Sequence, residues 1–177
     1  MIDLNRLAET INNEPKFEIL YNRLIETNQK MNLTAITQKD EVFFKHFLDS
    51  VTATEFISNN SYVLDIGCGA GFPSLPLKII RPDLKFLLVD SSLKKLGFVN
   101  ELIKELELND IQTLHTRIED LKHRDFDCVI ARAVAPLNIL CEYALPYLRL
   151  NGLAVFYKAD VNQELDQAKH AIKFLGG

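Results

Sequence analysis

From Tyr62 onward this chain of 177 residues alternates short apolar runs with longer helical patterns. That alternation restricts the fold more than any other feature. The runs at 62–66, 85–89, 111–115, 126–131 and 153–157 are rich in Val, Ile, Leu and Phe, and are continuous rather than every-other apolar. Between them lie patterns of helical period at 73–80, 93–106, 136–148 and 162–175. Continuously apolar strands alternating with helices predict a parallel sheet covered on both faces. Right-handed crossovers then bring every strand C-terminus to one edge, where ligands of such sheets bind. The expected fold is α/β, a doubly wound, mostly parallel, Rossmann-like sheet.

The first third of the chain has a different period. Leu4, Leu7, Ala8 and Ile11 form one helical stripe, Phe17, Leu20, Tyr21 and Leu24 a second, and Phe43, Phe44, Phe47, Leu48 and Val51 a third. The loop MNLTAITQKD separates the last two. The chain is therefore expected to divide into an N-terminal helical extension over 1–60 and an α/β domain over 61–177. The last helical pattern ends at Gly176 and Gly177, which leaves the 153–157 strand as an uncovered sheet edge. Proteins usually cover or blunt such an edge. The pattern therefore predicts that the domain is incomplete, with C-terminal strands missing.

Within YVLDIGCGAGF, Gly67, Gly69 and Gly71 join the first strand to its helix. Backbone N–H groups and a helix N-terminus meet a ligand at that position, and glycine supplies the bare surface. The spacing is G-x-G-x-G, not the dinucleotide G-x-G-x-x-G, and no G-K-[ST] follows, so a P-loop is excluded. Asp90 ends the second strand nineteen residues after Gly71. An acid there can accept hydrogen bonds from ribose hydroxyls or cap the next helix, a task that Ser91 and Ser92 could also perform.

Composition narrows the function. An apolar fraction of 47% and a charged fraction of 25% are those of a globular protein with a sizeable core. A net charge of −4 is wrong for a non-specific duplex coater, although a local basic face can coexist with it. Cys68, Cys128 and Cys141 contain no C-x-x-C pair, which speaks against a disulfide framework and a zinc site. No apolar run approaches the ~20 residues that span a bilayer, and the N-terminus lacks the charged and apolar regions of a signal peptide. A soluble, cytoplasmic protein with no metal and no membrane partner is expected.

D-I-G-C-G-A-G with an acid ending the second strand resembles the glycine motif of class I S-adenosylmethionine-dependent methyltransferases. NLTAIT at Asn32–Thr37, HFLDS at His46–Ser50, GAGFPSLPLKI at Gly69–Ile79, DSSLKK at Asp90–Lys95 and ARAVAPL at Ala131–Leu137 together resemble one bacterial family. It is the ribosomal RNA small subunit methyltransferase G family, also called glucose-inhibited division protein B. The resemblance runs from about Met31 to the last residue. It implies S-adenosylmethionine as cofactor and methylation of N7 of guanine 527 in the 530 loop of 16S rRNA, within the 30S subunit or an assembly intermediate. The family's cofactor site falls on Gly67, Phe72, Ile118, Glu119 and Arg132, and Asp90 takes the ribose position of the wider class. Gly69, Gly71 and Ser91 complete the expected cofactor set.

N7 of guanine has an in-plane lone pair and no proton, so no general base is required, and alignment can supply roughly 7–11 kcal/mol of the barrier. Arg132 and Lys158 are the candidates nearest the chemistry. Arginine commonly reads guanine through O6 and N7, but a donor on N7 would block the attacking lone pair. Arg132 is therefore expected on the cofactor, a phosphate or O6 alone. Lys94, Lys95 and Lys158 are candidate RNA contacts, with Lys122 and Arg124 weaker ones. His46, Asp49 and Ser50 sit too regularly on a helix for a hydrolase triad and are expected to pack the lead-in helices over the site mouth. Three other readings stay open. The first is an enzyme of the same cofactor class acting on a small molecule or protein, and the second is an NAD-dependent oxidoreductase, which the glycine spacing disfavours. The third, from a different class, is a binding module that holds cofactor or RNA without turnover.

Overall fold

The computed structural model describes residues 2–159 and 161–177. α1 (Leu4–Asn13) starts at Asp3, whose carboxylate accepts the Arg6 N–H. α2 (Pro15–Met31) starts on Glu14, with Pro15 in the first turn, where a missing N–H costs nothing. Asn32, at φ 49°, ends α2 in the left-handed conformation. A third helical stretch then runs through α3 (Lys39–Val42), a π-helical segment (Phe43–Leu48), α4 (Asp49–Val51) and a 3₁₀ turn (Thr52–Glu55).

The π-helical turn corrects one expectation. The stripe Phe43, Phe44, Phe47, Leu48 and Val51 assumes 3.6 residues per turn. The wider i→i+5 turn rotates the face, so Phe47 and Val51 are buried while Phe44 is 59% exposed.

Five parallel strands follow: β1 (Tyr62–Ile66), β2 (Lys85–Asp90), β3 (Ile111–His115), β4 (Phe126–Arg132) and β5 (Leu148–Tyr157), in the spatial order β3-β2-β1-β4-β5. The connecting helices are α5 (Ser74–Ile80), α6 (Leu93–Glu105) and α7 (Leu137–Ala144), and α8 (Asn162–Phe174) follows β5. Strand side chains alternate between two cores. Val63, Phe86, Leu88 and Ile130 join the helices α2 and α6 on one face. Leu64, Val89, Val129 and Ala131 meet Leu140 and Ala144 of α7 on the other. Ile11, Phe17, Leu20 and Leu24 belong to the first of these cores, so the lead-in helices pack directly onto one face of the sheet. This is the doubly wound architecture expected from the strand–helix alternation. Lys78, buried on α5, donates to the carbonyls of Pro82 and Leu84 and closes the turn into β2.

The C-terminal elements differ from the sequence reading. α7 stops at Ala144, not at 148, because Pro146 has no N–H to continue it. A 3₁₀ turn (Leu145–Tyr147) then leads into β5, which begins at Leu148 and not at 153. Asn151, at φ 62°, and Gly152 lie where the β4–β5 register shifts. β5 is an edge of the described sheet. Among the described residues no helix is long and apolar enough to cross a membrane. The strand order reverses between β1 and β4, and the carboxyl ends of these two strands form the switch point at which ligands bind such sheets.

Candidate active site

Three glycines leave β1 at that switch point, each for its own reason. Gly67, Gly69 and Gly71 all have positive φ, at 66°, 57° and 90°, where other residues are strained. A Cβ on Gly67 would lie 2.9 Å from Val134 Cγ2, and one on Gly71 would lie 2.4 Å from Leu75 Cδ1. Both positions are filled by packing. Gly69 differs, because a Cβ there meets nothing nearer than the Gly67 carbonyl at 3.9 Å. Its surface is open.

Asp90 holds this loop from β2. One carboxylate oxygen accepts the Gly69 N–H at 2.8 Å and the other accepts the Ser92 N–H at 2.7 Å. Each oxygen keeps a second lone pair. Ser92, rather than Ser91, caps α6 by accepting the Lys95 N–H. Asp90, Ser91, Ile118, Glu119 and Gly67 together line a cleft of about 200 Å³. Ile66, Val89 and Val134 add apolar walls, and Thr116 and Arg117, which the sequence reading did not single out, form part of its rim. Tyr147 donates its hydroxyl hydrogen to the Ile118 carbonyl, so the 3₁₀ turn after α7 fixes the 3₁₀ turn (Ile118–Asp120) that carries Ile118 and Glu119.

Phe72 and Arg132 are not on this cleft. They belong to a second group across the switch point. Arg132, at the end of β4, donates to Asp49 Oδ2 and Ser50 Oγ, each at 3.3 Å, and lies 3.4 Å from His46 Nδ1. Its guanidinium stands 5.2 Å from the Phe72 ring, and His46 stacks on the same ring at 4.9 Å. Arginine only donates, so His46 Nδ1 accepts and Nε2 carries the hydrogen. Nε2–H then donates to Thr34 Oγ1 at 2.8 Å, and Thr34 Oγ1 also accepts the Ile36 N–H. Burial and the neighbouring guanidinium hold His46 down at about 4, consistent with a neutral ring. Tyr157 of β5 donates to the Ser50 carbonyl at 2.6 Å. The NLTAIT loop, the HFLDS segment, β4 and β5 thus meet around one guanidinium, and His46, Asp49 and Ser50 do pack the lead-in helix over the site. His46, Asp49, Arg132 and Tyr157 line an open cavity of about 620 Å³.

Asp65 lies beneath the glycine loop, fully buried. Ser74 donates to its Oδ2 at 2.6 Å, while Oδ1 has no partner among the described residues. Burial pushes its carboxyl up from 3.8 to about 7. A raised carboxyl pKa favours the protonated fold. Its contribution is complete below about pH 3.8 and is lost as pH rises towards 7. The shift corresponds to roughly 4 kcal/mol. Asp65→Asn is therefore expected to gain stability relative to the unsubstituted protein as pH rises from 4 to 7. Urea unfolding at several pH values checks this, and parallel curves for the two proteins would contradict it.

The basic candidates separate. Lys94 is exposed and Lys95 half-buried in the first turn of α6, next to Ser91 on the cleft. Lys158 lines the larger cavity but is not a free cation. Its ammonium binds Glu164 at 2.6 Å and the Ala135 carbonyl at 2.8 Å, so it ties the loop after β4 to α8. Lys122 and Arg124 precede β4 and therefore lie at the opposite edge of a parallel sheet, where Arg124 covers the Tyr147 ring.

Comparison with known proteins agrees with this arrangement. The chain matches the family described as rRNA small subunit methyltransferase G (GidB) over residues 13–177. It is 46% identical over 169 residues to the ribosomal RNA small subunit methyltransferase G of Thermoanaerobacter sp. (strain X514), covering 91% of this chain and 70% of that protein. It is 45% identical over 170 residues to the protein of that name from Bacillus cytotoxicus, covering 92% and 71%. A crystal structure of ribosomal protein L11 methylase from Lactobacillus delbrueckii subsp. bulgaricus superposes with a TM-score of 0.61 at 19% identity, over 74% of this chain and 68% of that one. That likeness shows the shared fold. With its glycine-loop cleft, its doubly wound sheet and these relatives, the chain belongs to the rRNA small subunit methyltransferase G family.

Proposed function

We propose that the chain is a cytoplasmic enzyme that uses S-adenosylmethionine to methylate N7 of guanine 527 in 16S rRNA, in the 30S subunit or an assembly intermediate. The observation that carries this reading is the pairing of two cavities across one switch point: the narrow cleft ending at Asp90 and the wide one walled by Arg132.

The residues present fit the cofactor. The open face of Gly69 suits close backbone approach, and Asp90 keeps lone pairs for ribose hydroxyls. Ile118, Val89 and Val134 suit a flat purine, and Glu119 and Ser91 offer polar groups at its edge. Bound S-adenosylmethionine supplies a methyl group already activated by a sulfonium.

The chain's own work is positioning. Arg132 is held by Asp49, Ser50 and His46, which fixes its direction and keeps its remaining N–H groups for O6 or a phosphate, leaving N7 free. Neutral His46 and Phe72 give the guanidinium an apolar backing. No side chain needs to remove a proton. Lys94 and Lys95 suit RNA phosphates beside the cleft, and contacts of that kind act in a salt-dependent way.

Two measurements test the reading. Labelled methyl groups are expected to enter 16S rRNA of unmodified 30S subunits; label in proteins or metabolites instead would overturn it. Gly69→Ala is expected to fold, at a cost of about 1 kcal/mol for the left-handed φ, and to bind S-adenosylmethionine at least about tenfold more weakly by calorimetry. Unchanged affinity would remove Gly69 from the cofactor site.

A further inference from the structure

Among the described residues, the larger cavity has one carboxylate on its lining, and the network around Arg132 leaves part of its accepting capacity unspent. His46 uses both ring nitrogens, the Tyr157 hydroxyl donates to Ser50, and the Lys158 ammonium is held by Glu164 and Ala135. Asp49 is different. Its Oδ2 receives Arg132 at 3.3 Å, its Oδ1 has no hydrogen bond among the described residues, and its side chain is 47% exposed on the cavity wall. Beside it stands Phe44, which the π-helical turn swings outward until it is 59% exposed.

An acceptor-only group next to an exposed aromatic ring suits a flat heterocycle that carries adjacent N–H donors. Among RNA bases, guanine presents that pair at N1–H and N2–H₂. Adenine presents an acceptor at N1, which faces a carboxylate unfavourably. Both purines have an N7 lone pair, so N7 chemistry alone does not choose between them. The edge with N1 and N2 lies on the far side of the purine from N7, so a carboxylate can hold it while N7 stays open.

We propose that Asp49 selects guanine by accepting hydrogen bonds from its N1–H and N2–H₂ edge, with Phe44 as the stacking surface for the extruded base. This rests on the reading of the cavity as the acceptor site for an RNA base. The Arg132–Asp49 contact then has a second purpose, because it fixes the carboxylate that reads the base. Unstacked bases are commonly bound in this way, with aromatic stacking and hydrogen bonds to the Watson–Crick edge.

The test compares the full chain with Asp49→Asn on 30S particles reconstituted with 16S rRNA carrying either guanine or adenine at the target position. The readout is the ratio of kcat/KM for the two particles. A good bidentate contact supports roughly 10- to 100-fold discrimination. The unsubstituted protein is expected to prefer guanine, and Asp49→Asn to lose at least about tenfold of that ratio, with S-adenosylmethionine affinity unchanged within about twofold. Asp49→Ala is expected to lose the same preference and provides a second reading. A structural role for Asp49 lowers both rates together and leaves the ratio intact, so an unchanged ratio in active variants overturns this inference alone. Unsubstituted protein that labels neither particle overturns the function proposed for the cavity, and this inference with it.

Discussion

Arg132→Ala is expected to lower methyl transfer by about 100-fold or more, while losing about 2 kcal/mol of stability. Among the described residues, the guanidinium is the group that joins Asp49, Ser50, His46 and the Phe72 ring. Its removal leaves a carboxylate and an imidazole without their partner and lets the lead-in helix shift over the cavity. Misplacement by about 1 Å is enough for a loss of this order where catalysis is alignment. Arg132→Lys is expected to rescue stability in part and rate hardly at all, since a single ammonium cannot span three separate acceptors. Single-turnover rates alongside thermal unfolding check both expectations. Full activity in Arg132→Ala would remove the residue from the reacting site.

Gly71→Ala is expected to cost about 3 kcal/mol, or roughly 6–12 °C in Tm. Two effects add. At φ 90° any Cβ is strained, and here it would lie 2.4 Å from Leu75 Cδ1 and 2.7 Å from Leu75 Cγ. Leu75 is fully buried on α5, so its displacement disturbs the core. Gly69→Ala, two residues away, lacks that collision, so the two substitutions separate folding from binding within one loop. Calorimetric unfolding of both variants checks the contrast. Equal losses would mean that the loop is shaped by φ alone and not by packing.

The strand–helix alternation was legible because each strand feeds two buried faces, as Val63 and Leu64 do by pointing into different cores. The glycine loop and Asp90 were legible because spacing along a βαβ pattern places strand ends together, whereas Ile118 and Glu119 were reached through the family resemblance. Other features depend on contacts that spacing does not encode. A π-helical turn leaves no periodic signature over six residues, so Phe44 was assigned to the buried face. Pro146 ended α7 early, and the register shift beside Gly152 lengthened β5 towards its start. Lys158 looked like a free cation because its partner Glu164 lies on the next helix. Thr34 and Tyr157 were invisible as site residues, although the NLTAIT stretch that holds Thr34 was visible as a motif. Asp65 was overlooked because an acid inside an apolar strand reads as a gap in a pattern, not as a buried charge.

The central claim is the identity of the methylated atom. Treating 30S subunits with the protein and S-adenosylmethionine, then reducing the RNA with borohydride and cleaving with aniline, breaks the chain only where N7 of guanine has been methylated. The account predicts one new cleavage, at guanine 527 of 16S rRNA, that requires both protein and cofactor. Incorporated methyl groups with no cleavage there, or cleavage at a different guanine, would contradict it.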